Sequence, residues 1–120
     1  MPQITIEYSS NLRDRFDGRA LTLAVHDALV RTIATDPASC KTRLVEHQAV
    51  VIADGAATHA MLHADLRILS GRSAAQKTAL GEAVIALLEQ ALRGRTDGLS
   101  VQATAEVRDL DRPNYHKILI

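Results

Sequence analysis

A single cysteine, Cys40, denies this chain any internal disulfide. That fits a reducing compartment, and a cytoplasmic location is expected. Aromatic residues make up only 2% of the sequence, with no tryptophan, so any core must be built from Leu, Val, Ile and Ala. No apolar run approaches the ~20 residues that a membrane-spanning helix needs. The opening MPQITIEYSS has neither a basic n-region nor a long apolar h-region, so no signal peptide is expected. Neither sign of charge dominates: 14 basic residues balance 14 acidic ones. This argues against binding to duplex DNA, which calls for a basic stripe, but it permits a local arginine cluster around an anion. Glycine-rich phosphate loops and metal-ligand spacings are also missing, so neither cofactor nor metal is expected.

The sequence does contain clear periodicity. Residues 2–8 alternate, with Pro2, Ile4, Ile6 and Tyr8 on one side and Gln3, Thr5 and Glu7 on the other, which predicts a strand. Leu21, Val25, Leu29 and Ile33 recur every fourth residue and predict a helix over about 17–35, capped by Asp17 and stopped by Pro37. A second strand is expected over 40–52, ahead of an Asp54-Gly55 turn, and a third over 59–69. Ser73 and Gln76 have the spacing of a capping box. They predict a helix that runs to about Arg93 and ends at Gly94. Residues 99–108 alternate most regularly and predict the last strand.

The order β-α-β-β-α-β divides into two halves about 60 residues apart, each a strand, a polar turn carrying an arginine, and a helix. This predicts an α+β fold in one domain over residues 1–120: a duplicated β-α-β unit with a four-stranded sheet and both helices on one face. The other face is then uncovered. With Pro2, Ile4 and Ile6 in one register, sheets are expected to pack together in an oligomer. A small aliphatic core is a second reason to expect assembly.

This order serves ferredoxin-like domains and tautomerases alike, and particular residues separate them. Met1-Pro2, followed by Ile-Thr-Ile-Glu-Tyr-Ser-Ser-Asn-Leu, resembles the opening of the 5-carboxymethyl-2-hydroxymuconate isomerase family in the tautomerase superfamily. The resemblance continues at Arg43, at Ala53-Asp54-Gly55 and at Ser70-Gly71-Arg72-Ser73, and it reaches about residue 110. The segment Asn114-Tyr115-His116-Lys117 departs from it. The resemblance implies a tautomerase-like homotrimer with sites at subunit interfaces. It also implies cofactor-free ketonisation of a dienol carboxylate in aromatic meta-cleavage degradation.

Pro2 is the candidate base. A small second residue favours removal of Met1, which leaves a secondary amine; unperturbed α-amino groups titrate near ~7.7–8.0. Guanidinium groups and partial burial would lower that value and free the lone pair. Arg72, at a strand-end turn ahead of a helix, and Arg43, within a strand, are the candidate substrate-binding residues, with bidentate forks suited to carboxylates. The bland alternative for Arg43 is an ion pair with Glu7 or Glu46. Arg13 is read as surface, Tyr8 as packing, His59 and His63 as surface or interface, and His26 as helix surface. Two other functions fit the same pattern. One is another tautomerase-superfamily reaction, such as hydration-dehalogenation, which would need a further base for water. The other is a non-catalytic ferredoxin-like binding or assembly module.

Overall fold

A computed structural model describes residues 1–120. It contains β1 (Gln3–Ser9), α1 (Gly18–Ile33), β2 (Lys41–His47), β3 (His59–Leu69), α2 (Ala74–Leu92) and β4 (Ser100–Leu110). The sheet order is β2-β1-β3-β4. Each half contributes a parallel pair, β1 with β2 and β3 with β4, and the halves join through antiparallel β1 and β3. The expected α+β fold with a duplicated β-α-β unit is the one observed.

The caps explain where the helices start. The Asp17 carboxylate accepts the Ala20 N–H at 3.0 Å. Ser73 and Gln76 form the reciprocal box, at 3.1 Å and 2.9 Å. α1 ends at Ile33, where Ala34 turns into the left-handed region, three residues before Pro37. Each helix buries one i, i+4 stripe: Leu21, Val25, Leu29 and Ile33 on α1, and Leu80, Val84, Leu88 and Leu92 on α2. Only one face of the sheet is apolar enough to cover both stripes.

That requirement overturns one expectation. Ile4 and Ile6 are completely buried, together with Ala60, Leu62, Ala64, Leu66 and Ile68 of β3. The register of Pro2, Ile4 and Ile6 therefore belongs to the helix-covered face, not to the open one. The open face is polar. Asp65, 8% exposed, takes both Nε and Nη2 of Arg108 at 3.1 and 2.7 Å and Nε of Arg67 at 3.2 Å. Arg108 holds the Asp65 carboxyl below its ordinary range. Glu7 lies 2.8 Å from His47, and His63 lies 2.6 Å from the Thr104 hydroxyl. Any assembly through this face must match charges and hydrogen bonds, not bury an apolar sheet.

The second strand also ends earlier than expected, at His47 instead of residue 52. β2 is an edge strand whose only partner, β1, runs out at the Ser9–His47 pair. Val50, Val51 and Ile52 continue beyond the sheet, with Val51 fully open to solvent. β-propensity alone does not extend a strand that has nothing to pair with.

His26 is not a free helix-surface group. It is half-buried between α1 and β2, with Nε2 2.7 Å from the Thr42 hydroxyl, and burial pushes its pKa below the ordinary 6.5. The unfolded chain then takes up this proton first as pH falls. The stability that neutral His26 contributes is complete above the unfolded value and is lost as pH drops through the folded one. His26→Gln should flatten the decline of the thermal midpoint between about pH 7 and pH 5 relative to the parent chain. Parallel curves would mean that this titration is not linked to folding.

Candidate active site

The amino end of the chain sits at the head of an inner strand. Pro2 precedes β1, is fully buried, and by alternation shares the helix-covered side with Ile4 and Ile6. Its carbonyl accepts the Lys41 N–H at 3.3 Å, so the start of β2 lies beside the start of β1. With Met1 in place the Pro2 nitrogen is an amide. The amine at this end is held below its ordinary 8.0, first by burial, then by Arg72 and Lys41, with Lys117 acting in the same direction and Cys40 opposing. A lone pair here is available at lower pH than on a free peptide.

Arg72 reaches this end through the turn after β3. Gly71 has φ +120, a conformation that disfavours a side chain. Arg112 clamps the Ser70 carbonyl from Nε and Nη2 at 3.0 and 2.8 Å. The half-buried Arg72 guanidinium does not lie along α2. It donates from Nη2 to the Ile33 carbonyl at 3.2 Å, one of the carbonyls left unpaired where α1 ends. One donor of five is thereby used, and no carboxylate pairs with the group.

Arg43 lies elsewhere. It is exposed and donates to Gln3 Oε1 at 2.5 Å, on the open face. Neither Glu7 nor Glu46 pairs with it, because Glu7 faces His47 and Glu46 binds Arg13. Around it a recess of about 280 Å³ is lined by Gln3, Thr5, Arg43, Arg67 and Leu110. Within one protomer, Arg72 acts on the amino end where Pro2 lies, while Arg43 points out from the other side of the sheet. Arg13 is a surface residue, as expected. Tyr8 packs edge-on against Phe16 with ring centroids 5.1 Å apart. His59 faces Asp54 at 2.9 Å.

Two cations near the amino end were missed in the sequence. Lys41 was legible in principle, because a parallel β1–β2 pair sets the first residue of one strand opposite the first of the other, Gln3 with Lys41. Lys117 was not, since nothing in the tail's composition says where it folds.

The comparisons concern the family and the fold. The model of the family described as 5-carboxymethyl-2-hydroxymuconate isomerase matches residues 2–118. No curated relative matches. Among solved structures, a 5-carboxymethyl-2-hydroxymuconate isomerase from Deinococcus radiodurans R1 superposes with a TM-score of 0.89 at 23% identity, covering 98% of this chain and 88% of that one. A 5-carboxymethyl-2-hydroxymuconate delta-isomerase gives 0.76 at 23% identity, with the same coverages. A fused 4-OT wild-type symmetric trimer gives 0.74 at 22%, covering 94% of this chain and 89% of its own. At these identities the superpositions speak for the fold.

Proposed function

This chain belongs to the 5-carboxymethyl-2-hydroxymuconate isomerase family and is a cofactor-independent isomerase of the tautomerase type, and we propose that it ketonises a dienol carboxylate resembling 5-carboxymethyl-2-hydroxymuconate, with Pro2 as the base. Family membership sets aside the non-catalytic module. The observation that carries the finer reading is the amino end itself: a buried proline at the head of β1, with an unpaired arginine close enough to depress the terminal amine.

The chemistry is a proton relay that balances within one site. In a chain beginning at Pro2, the neutral nitrogen takes the proton from the enol hydroxyl. The O–H pair becomes the C=O π bond, the conjugated pairs shift along the chain, and the Pro2 ammonium returns the proton to the terminal carbon as a new C–H bond. Charge appears on oxygen in the transition state. Arg72, with donors to spare, holds a carboxylate and stabilises that charge. A dehalogenating hydration would need a second base for water, and no carboxylate is among the groups that dominate the terminal amine.

Arg43 faces away from Pro2 of its own protomer, and this favours a trimer in which Arg43 of one subunit completes the site of the next. The symmetric trimer among the structural relatives supports such an assembly.

Arg72 provides the test. Arg72→Ala should lower kcat/KM for a dienol dicarboxylate by the equivalent of about 1.5–3 kcal/mol, the loss of a charged hydrogen bond. Arg72→Lys should recover only part, because an ammonium lacks the planar fork. Normal turnover by a folded Arg72→Ala would reduce Arg72 to a clasp on α1.

A further inference from the structure

The tail, which the sequence reading set apart from the family but the family model covers to residue 118, does not hang free. After β4, the turn Arg112–Asn114 reverses the chain, and Arg112 ties it to the Ser70 carbonyl. Half-buried Tyr115 then accepts a hydrogen bond from Gln3 Nε2 at 2.8 Å. The other end of the same amide accepts from Arg43. Two residues later, Lys117 Nζ lies 3.8 Å from Met1 Sδ. The tail therefore crosses the head of β1, and Lys117 reaches the amino end.

We propose that this tail is part of the substrate site: Lys117, with Lys41, forms a second carboxylate-binding position beside Pro2, opposite the one assigned to Arg72. The inference rests on the Pro2 reading and extends it to substrate selection. Three facts carry it. Lys41 adjoins Pro2 and Lys117 reaches Met1, and neither they nor Arg72 has a carboxylate partner. Lys41 is fixed by its own N–H bond to the Pro2 carbonyl and by Nζ on the Ser39 carbonyl at 2.6 Å. Lys117 is exposed on a segment pinned by Tyr115 and Arg112, so it can swing onto a ligand without disturbing the core. Cations without carboxylate partners are open to an anion, and one bound among them lowers their mutual repulsion. The direction in which all three shift the terminal amine agrees with their converging there. One arginine suffices for a single carboxylate. A further pair of lysines across the same proline suits a ligand with a carboxylate at each end of a short conjugated chain.

Muconate and sorbate make the test independent of turnover. Both are six-carbon dienes; the first carries two carboxylates and the second one. Calorimetry on the chain beginning at Pro2 should give tighter binding of muconate than of sorbate. Lys117→Met should weaken muconate by about tenfold, the loss of one charged contact at an exposed position, and leave sorbate within about twofold. Lys117→Arg should keep most of the muconate affinity. Equal losses for both ligands, no loss for either, or failure of the parent chain to prefer muconate would overturn the inference. Dienol turnover, measured separately, then decides the Pro2 reading: an active parent chain whose Lys117→Met variant binds muconate normally would retain its base and lose only the second carboxylate site.

Discussion

One extra residue on the amino end should cost nearly all turnover while leaving the fold untouched. Acylating the Pro2 nitrogen converts a secondary amine into an amide whose lone pair is delocalised into the carbonyl. A positioned general base contributes about 10²–10⁴-fold, so a form that keeps Met1, or carries any extension, should fall in kcat/KM by that factor. Pro2→Ala, once processed, presents a primary amine. It should keep part of the activity with a shifted pH dependence, because it lacks the ring that orients the lone pair. In the processed parent chain, kcat/KM should rise with pH through the amine's pKa. That midpoint should lie below the ordinary 8.0 if the Pro2 amine meets the burial and the cations, Arg72, Lys41 and Lys117, that lower the Met1 amine. Removing a cation moves it in a known direction: Arg72→Ala should raise the midpoint even as it weakens binding. Light scattering on each form separates chemistry from assembly. Equal activity of the blocked and processed forms, at equal oligomeric state, would remove Pro2 from the mechanism.

The fold was legible because its signals are local and agree with one another. The i, i+4 stripe of Leu21 to Ile33, the Ser73–Gln76 box and the alternation of 99–108 each specify one element. Their order leaves few topologies. What was misread depended on partners that periodicity does not describe. Alternation divided β1 into two faces, but only the presence of two apolar helix stripes decides which face they cover. Val50, Val51 and Ile52 look like strand, yet β1 offers no residue beyond Ser9 for them to pair with. His26 falls on the polar side of its helix pattern and still ends half-buried, because β2 packs beneath it with Thr42.

The site was legible for a different reason. Pro2, Arg43 and Arg72 were singled out by residues that resemble a family, with spacing adding little. A left-handed Gly71 and the end of α1 set Arg72 where it acts on the amino end. The structure leaves Arg43 across the sheet, where strand parity requires it: Arg43 pairs in register with Thr5, on the side opposite Ile4 and Ile6. The approach of Lys117 to Met1 is long-range, joining the two ends of the chain.

Two inactive chains should therefore make an active one. If the assembly is a cyclic trimer, light scattering gives about three times the chain mass of 13.0 kDa. In such a ring every site takes its proline from one subunit and its Arg43 from the neighbour. A chain with a blocked amino end contributes a sound Arg43. An Arg43→Ala chain contributes a sound Pro2. Each alone should be nearly inactive toward a dienol dicarboxylate. Unfolded together in equal amounts and reassembled, they distribute at random, and about one site in four receives both intact groups, in a heterologous ring of this symmetry. Activity per chain should return to about a quarter of the parent value, and only after co-assembly; simply mixing preformed trimers should recover nothing until subunits exchange. If Arg43 instead serves the Pro2 of its own chain, every site in the mixture carries one defect or the other, and co-assembly restores no activity. A monomer by scattering would give the same null recovery and would remove the interfacial site altogether.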